Sequence, residues 1–197
     1  MTKTVGIIVY PGVEELDFVG PLEVFGGMAT IDRDWKVVTI AETPTVQATH
    51  GLKTTVDHTF DDAPPLDVIL VPGGFGTREQ MSNPPLLDFV REAGKDATYV
   101  TSVCTGALIL HSAGFLPGKR ATTHWGAIEL LRNLGDVEVV SERFVQDGNV
   151  ITSAGVSAGI DMALYVVSLL KDAATAANVQ KMMEYYPQPP VFAETPA

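Results

Sequence analysis

Cysteine and basic residues are scarce in this chain, and each shortage narrows the classes of protein to which it can belong. Cys104 is the only cysteine among 197 residues, which excludes a disulfide bond within one chain. Lys and Arg number 13 against 24 Asp and Glu, giving a formal net charge of -11. Nucleic acids and anionic membrane surfaces are bound through basic patches, so we expect neither as a partner.

Long hydrophobic stretches are also missing from the sequence. The apolar run at residues 5–10 is too short to cross a bilayer, and no signal-peptide cleavage pattern follows it. Together with the lone cysteine, this predicts a protein of the reducing cytoplasm. A length of 197 residues suits one well-buried domain, which we place at residues 1–186, followed by a proline-rich tail at 187–197.

Familiar cofactor motifs are absent as well. The glycine-rich turn PGGFG lacks the Lys-Ser/Thr of a phosphate-binding loop, and no G-x-G-x-x-G dinucleotide pattern occurs. The four histidines are scattered along the chain, so we predict no metal site and no cofactor. They are His50, His58, His111 and His124.

The segments that are present alternate between strand and helix patterns. The strand segments VGIIVY, DVILV and TYVTSV are apolar throughout, which is typical of strands covered on both faces. This alternation predicts an α/β fold, a three-layer sandwich with a mostly parallel, flavodoxin-like sheet. Pro21 suits the first turn of a helix, so we predict the first helix at residues 21–28.

One strand runs almost directly into a helix through Cys104, Thr105 and Gly106. Such a short connection requires a sharp turn, which would project a cysteine from the carboxyl edge of the sheet. At the amino end of a helix, backbone N–H groups and the helix dipole favour the thiolate, so we expect a lowered thiol pKa. On this stretch alone, a small buried apolar residue is an equally good interpretation of Cys104.

Two further features are predicted at the same edge of the sheet. Asp17 follows the first strand, close before the predicted helix, and the flanking Leu16 and Phe18 indicate a capping or half-buried carboxylate. For Glu14 and Glu15, a solvated loop is the better interpretation. Glycine in the PGGFG turn leaves a backbone N–H free to point into a pocket. Because ligands bind beyond the carboxyl ends of parallel strands, this convergence favours a catalytic Cys104.

Five motifs together resemble the ThiJ/PfpI superfamily, which has the class I glutamine-amidotransferase-like fold, and most closely its isonitrile hydratase branch. The resemblance runs in order along essentially the whole chain. The motifs are VEELD ending at Asp17, VPGG ending at Gly74, SVCTG around Cys104, ATTHW around His124 and GVSAGID ending at Asp161. Because the superfamily is functionally mixed, the resemblance predicts the fold more directly than the function.

The resemblance implies a role for each site residue. Cys104 is the expected nucleophile, and Asp17 is the carboxylate beside its sulfur. Gly74 and Thr105 are expected to supply the two backbone N–H groups of an oxyanion hole, with the Thr105 hydroxyl near the thiolate. Gly73, His124 and Gly155 are further candidate pocket residues.

Two departures from other members of the superfamily bear on the reaction. Many members carry Glu at the position of Asp17, and peptidase-like members place His where this chain has Thr105, so a Cys-His pair is not available at the turn. His124 is a candidate distant base, but a structural histidine packed beside Trp125 is the better interpretation.

The resemblance therefore implies hydration of a small-molecule isonitrile to an N-substituted formamide, through a covalent thioimidate on Cys104 with Asp17 as general acid and base. The alternatives are a glyoxalase- or deglycase-type enzyme acting on α-oxoaldehydes and a cysteine redox or ligand sensor. Related regulators carry a DNA-binding extension, which we do not expect in this acidic chain. Family members are commonly dimers, so a homodimer is expected.

Overall fold

A seven-stranded, mostly parallel sheet forms the centre of the computed structural model, which describes residues 2–188. The strand order is β10-β11-β7-β6-β1-β2-β5, and only the β10–β11 pair is antiparallel. The bounds are β1 Lys3–Ile8, β2 Trp35–Ala41, β5 His58–Thr59, β6 Val68–Val71, β7 Tyr99–Val103, β10 Phe144–Asp147 and β11 Val150–Ser153. The sequence-based prediction of a mostly parallel α/β sheet is confirmed.

Seven helices cover the two faces of this sheet in the described part of the chain. The helices are α1 Glu15–Ile31, α2 Thr77–Gln80, α3 Pro84–Lys95, α4 Gly106–Ser112, α5 Ile128–Asn133, α6 Ala158–Leu170 and α7 Ala173–Met182. Helices α1, α6 and α7 pack against one another, whereas α4 packs against α2 and α3. Right-handed crossovers that run in opposite directions along a sheet place their helices on opposite faces, which produces the three layers.

The crossover direction reverses between β1 and β6. From β1 the chain crosses through α1 to β2, and from the adjacent β6 it crosses through α3 to β7 on the other side. A crevice opens beyond the carboxyl ends of the strands at such a reversal. The segments that follow β1, β6 and β7 therefore converge on one place.

The core is built from the apolar strands that the sequence pattern predicts. Every residue of Val68–Val71 is buried, and so are the apolar residues at the start of α4. Strands covered by helices on both faces have no solvent side, which explains why their sequences do not alternate.

Two small sheets lie apart from the central one. Strands β3 Thr45–Gln47 and β4 Lys53–Thr55 pair in antiparallel fashion and form a hairpin that turns around His50 and Gly51. Strands β8 Lys119–Ala121 and β9 Val137–Val139 form a parallel pair.

The predicted start of the first helix is wrong. Helix α1 begins at Glu15 and contains Pro21 in its interior, so Asp17 lies within its first turn and not before the helix. An interior proline costs a helix about 3 kcal/mol. The helix tolerates it because its buried face, including Gly20, packs closely on Ile160 of α6.

Two other sequence-based expectations concern membrane-spanning helices and the proline-rich tail. Among residues 2–188, no helix combines the length and the apolar character needed to cross a bilayer. The proline-rich tail predicted at 187–197 lies outside the described residues, except for its first two positions.

Candidate active site

The turn between β7 and α4 is as sharp as the sequence predicts. Cys104 has φ 57°, in the left-handed region that non-glycine residues rarely adopt, and α4 starts two residues later at Gly106. A Cβ on Gly106 would lie 2.0 Å from the carbonyl oxygen of Val71, so only glycine fits there. A strained backbone at one reactive residue is typical of a functional site.

Asp17 reaches the cysteine from the first turn of α1. Its side chain is fully buried, and Oδ2 accepts a hydrogen bond of 2.9 Å from the backbone N–H of Gly73. The Cys104 thiol is near enough to this carboxyl for each group to shift the pKa of the other. No nitrogen or oxygen within residues 2–188 donates a hydrogen bond to Oδ1. The one hydrogen bond that this carboxyl accepts within the described residues therefore comes from the backbone N–H of Gly73.

Burial dominates the electrostatics of this pair. It raises the pKa of Asp17 to about 7, against the opposing effects of the Gly73 N–H and the Cys104 thiol. Burial, and then the negative charge of Asp17, raise the pKa of the Cys104 thiol to about 12. The expected lowering of the thiol pKa at the start of a helix is therefore wrong, because loss of water outweighs the stabilising N–H of Thr105.

Since each anion disfavours the other, the two groups titrate as a pair. Near neutral pH the pair gives up its first proton and strongly retains its second. The arrangement suits a reaction in which one proton moves between Cys104 and Asp17.

The backbone N–H groups of Gly73 and Gly74, in the glycine turn after β6, both donate hydrogen bonds within the site. Gly74 has φ 133°, and its N–H donates to the Thr105 hydroxyl oxygen at 3.0 Å, while the Gly73 N–H is held by Asp17. The N–H of Gly74, which we expected in the oxyanion hole, is therefore not free to point into the pocket in this conformation. The reason is that the threonine after the cysteine places its hydroxyl against Gly74.

Gly155 fills a narrow gap between two candidate site residues. A Cβ on Gly155 would lie 2.9 Å from Sγ of Cys104 and 2.5 Å from Cδ2 of His124. Gly73 is equally confined, since its Cβ would lie 2.5 Å from the backbone nitrogen of Thr105. Both glycines thus leave no room for a side chain beside the site residues, and neither is among the residues that line the cavity.

His124 lines the pocket but is held as a structural histidine. Its Nδ1 accepts a hydrogen bond of 3.2 Å from the N–H of Gly126, and its ring lies 5.4 Å from that of Trp125. Burial, and then the charge of Arg78, lower the pKa of His124 below its usual value. A neutral ring with Nδ1 occupied fits the predicted structural role.

A cavity of about 260 Å³ opens above Cys104 and Thr105. Two of its walls are aromatic side chains that are largely exposed, Phe75 at 76% and Trp125 at 64%. The wall residues that we did not predict from the sequence are Glu14, Phe75, Arg78, Trp125, Gly126, Ala127 and Val156. The cavity therefore has an apolar rim with one acidic and one basic group beside it.

For some of these wall residues the sequence contains a pattern that indicates a place in the cavity, and for others it contains none. A large apolar residue inside the glycine-rich turn PGGFG was the available signal for Phe75. Glu14 was assigned to a solvated loop, but it is half-buried and lines the cavity, so that interpretation is wrong. Arg78 follows no pattern in the sequence and reaches the cavity only through the placement of α2.

One group of acidic and histidine side chains lies beside the cavity. Glu14, Glu15 and His50 place one ligand atom each within 4.8 Å of one another, the only such group within residues 2–188. The sequence analysis did not connect His50 with the acids, because the hairpin brings them together. Nε2 of His50 lies 3.2 Å from Oε1 of Glu14, a contact that accounts for the position of the ring.

A cysteine on a strained strand-to-helix turn, near a buried carboxyl at the reversal point of a parallel sheet, is a feature that defines a class of α/β proteins. The comparisons identify the family within that class. The DJ-1/PfpI family model matches residues 3–169, and the chain belongs to this family.

Three relatives illustrate the similarity. An isonitrile hydratase from Pseudomonas putida is 42% identical over 198 residues, covering 100% of this chain and 84% of the relative. The crystal structure of a ThiJ/PfpI family protein from Pseudomonas syringae has a TM-score of 0.92 at 37% identity, covering 99% of this chain and 80% of that one. A deglycase from Pyrococcus horikoshii is 34% identical over 114 residues, covering 57% of this chain and 68% of the relative.

Proposed function

We propose that the protein is an isonitrile hydratase, which converts an isonitrile R–N≡C and water into the formamide R–NH–CHO. The observation that carries this proposal is that Cys104 lines an apolar-rimmed cavity while the buried carboxyl of Asp17 is near enough to shift the pKa of its thiol. Identity of 42% to an isonitrile hydratase along the full chain supports it. An isonitrile has little capacity for hydrogen bonding, so an apolar rim is suited to it.

In the first step, the sulfur of Cys104 attacks the terminal carbon of the isonitrile. Asp17 takes the thiol proton and delivers it to the same carbon, which gives a thioimidate, Cys104–S–CH=N–R. The burial-raised pKa of Asp17, about 7, allows the carboxyl to accept and release a proton at neutral pH.

In the second step, water adds to the thioimidate carbon. Asp17 accepts a proton from the water and passes it to the nitrogen of the substrate, and the proton left on the added hydroxyl returns to the sulfur when the C–S bond breaks. The N–H groups of Thr105 and, once released from the Thr105 hydroxyl, of Gly74 would hold the oxygen of the tetrahedral species. Collapse of that species breaks the C–S bond and returns the thiol proton, so the formamide leaves and Cys104 is regenerated.

The two alternatives have weaker support. The deglycase relative matches 57% of the chain, and Asp17 is one methylene shorter than the Glu expected for α-oxoaldehyde chemistry. A redox sensor needs an accessible thiolate, whereas the Cys104 side chain is buried and its thiol pKa is raised. We therefore rank isonitrile hydration first.

The test compares two substrates in one experiment. Purified protein is incubated with an aryl isonitrile, formamide is measured by absorbance and chromatography, and methylglyoxal is assayed in parallel. We expect formamide to form in proportion to enzyme and methylglyoxal to remain. Consumption of methylglyoxal alone would move the α-oxoaldehyde activity to first place, and no turnover of either substrate would leave the sensor.

The exposed aromatic rim predicts a preference for large apolar substituents. Replacing Phe75 or Trp125 by Ala should raise the KM for an aryl isonitrile about tenfold, because apolar contact area with the substituent is lost. The KM for methyl isonitrile should change by less than about twofold, since a methyl group is too small to reach both rings. Leu130→Ala, a partly exposed leucine outside the cavity wall, is the matched control. An equal rise in KM for both substrates would contradict this role.

A further inference from the structure

The peptide group that joins Cys104 to Thr105 is held by a residue outside the cavity wall. The hydroxyl of Thr123 donates a buried hydrogen bond of 2.8 Å to the carbonyl oxygen of Cys104. Thr123 follows strand β8, its side chain is buried, and it does not line the cavity. Within residues 2–188, no backbone N–H donates to the same carbonyl. The Thr123 hydroxyl therefore provides the hydrogen bond that a buried carbonyl requires.

A second contact holds the other backbone group of Cys104. Its N–H donates to the carbonyl oxygens of Ser153 at 3.0 Å and Ala154 at 3.3 Å. Both backbone groups of Cys104 are thus fixed while its φ is 57°, in the left-handed region that favours glycine. A residue with a side chain stays in such a conformation only where its surroundings hold it. Loss of the Thr123 hydrogen bond would therefore let Cys104 move toward an ordinary backbone conformation.

The orientation of this peptide group also sets the direction of the Thr105 N–H. In a trans peptide the carbonyl and the N–H point in opposite directions, and no peptide bond in the described part of the chain is cis. Because the carbonyl points to Thr123, the N–H of Thr105 points away from it. The nitrogen of Thr105 lies close to Gly73 and Asp17, since a Cβ on Gly73 would be 2.5 Å from that nitrogen and 2.9 Å from Oδ2 of Asp17. Among residues 2–188, no backbone carbonyl accepts this N–H, which leaves it available to an oxyanion.

We propose that Thr123 is a positioning residue for the hydration reaction. By holding the carbonyl of Cys104, Thr123 keeps the cysteine in its strained conformation and keeps the Thr105 N–H directed at the oxygen that becomes negative. Thr123 lies outside the cavity wall, so it acts through the peptide group and not by contact with a substrate. The inference rests on the proposed function, which assigns the Thr105 N–H to the oxyanion hole.

The kinetics of isonitrile hydration test this role. Thr123→Val keeps the shape of the side chain but removes the proton donor, so we expect kcat to fall by about 10- to 100-fold. The KM should change by less than about twofold, because the oxyanion forms only after the substrate has bound. Thr123→Ala removes the same donor and should lower kcat equally, which provides the test if the valine variant does not fold. Thr123→Ser keeps a hydroxyl and should restore most of the wild-type kcat.

The neighbouring threonine provides a matched control. Thr122 and Thr123 are each 1% exposed, and the Thr122 hydroxyl donates to the carbonyl oxygen of Glu142 at 3.0 Å, outside the site. Thr122→Val therefore also loses one buried hydroxyl and should lower the unfolding temperature about as much as Thr123→Val does, but it should leave kcat unchanged.

The amide signal of Thr105 tests the position of the peptide group without any substrate. In protein that carries isotope-labelled threonine, this NMR signal is assigned by its absence in Thr105→Ser. It should shift in Thr123→Val, because the peptide group then changes its orientation, and keep its wild-type position in Thr123→Ser and Thr122→Val.

Two results would overturn the proposal. One is a Thr105 amide signal that does not move in Thr123→Val, and the other is an equal loss of kcat in Thr123→Val and Thr122→Val, which would indicate a general loss of packing. If the wild type fails to hydrate isonitriles, the proposed function fails, whereas the amide signal still decides whether Thr123 holds the peptide group.

Discussion

Cys104→Ser should lower the turnover of an aryl isonitrile by about 10⁴-fold or more, since the reaction then lacks its nucleophile. A serine hydroxyl is far less acidic than a thiol, and the site already raises the pKa of the buried thiol to about 12. Asp17 would have to remove a proton that the buried oxygen holds much more tightly. Initial rates of formamide formation measure the effect, with thermal unfolding of both proteins as the control for folding.

The same variant tests the covalent step. Acid quenching during turnover, followed by intact mass, should show the wild-type chain increased by the mass of the isonitrile. Peptide mapping should place that mass on Cys104, and the serine variant should show none. A Cys104→Ser protein that keeps more than about one hundredth of the activity would rule out the cysteine as nucleophile.

Asp17→Asn should lower kcat by about 10²- to 10⁴-fold, the usual contribution of a general acid or base. Asparagine retains an oxygen that can accept the Gly73 N–H, so the local fold is maintained, but it cannot carry a proton between sulfur and carbon. The assay is the same as for Cys104. The matched control is Asp57→Asn, which alters a carboxylate bonded to Thr39 away from the cavity and should leave kcat unchanged.

The pH dependence of kcat/KM provides a second test of the role of Asp17. Because its pKa is raised to about 7, the carboxyl is protonated below that pH and cannot accept the thiol proton. We expect kcat/KM of the wild type to rise with pH up to about 7 and then level off. The residual activity of Asp17→Asn should lack this rise, and a variant that kept it would assign the titration to another group.

The free energy of unfolding should also depend on Asp17, but it should fall as the pH rises, whereas kcat/KM should rise. An aspartate whose pKa is 3.8 when unfolded and about 7 when folded retains its proton on folding, so folding is favoured at low pH and this contribution is lost as pH rises through 7. Asp17→Asn should therefore be more stable than the wild type at pH 8, by up to about 4 kcal/mol, and the difference should vanish near pH 4. Denaturant unfolding of both proteins at the two pH values measures it.

Local sequence patterns were sufficient for the order of elements and for the turn at the cysteine. The uniformly apolar strands predicted a parallel sheet, and the short connection through Thr105 and Gly106 predicted the sharp turn. The convergence of Asp17, the glycine turn and Cys104 followed from one general rule, since ligands gather at the carboxyl ends of parallel strands. These features depend on residues that are neighbours in the sequence.

Helix boundaries and electrostatics were decided by contacts between distant segments. Pro21 signals a helix start locally, but packing of α1 on α6 extends the helix to Glu15. Position at the start of a helix predicts a lowered pKa for Cys104, but burial beside Asp17 raises it. In both cases a tertiary contact outweighs a local preference.

The chain alone thus determined its α/β fold, its family motifs and the residues Cys104 and Asp17. Only the tertiary structure placed Phe75 and Trp125 at the rim, occupied the N–H of Gly74 and brought the hydroxyls of Thr77 and Thr105 together. The physical reason is range: propensity and hydrophobic period act over a few neighbouring residues, whereas burial and hydrogen bonding join segments that are far apart in sequence.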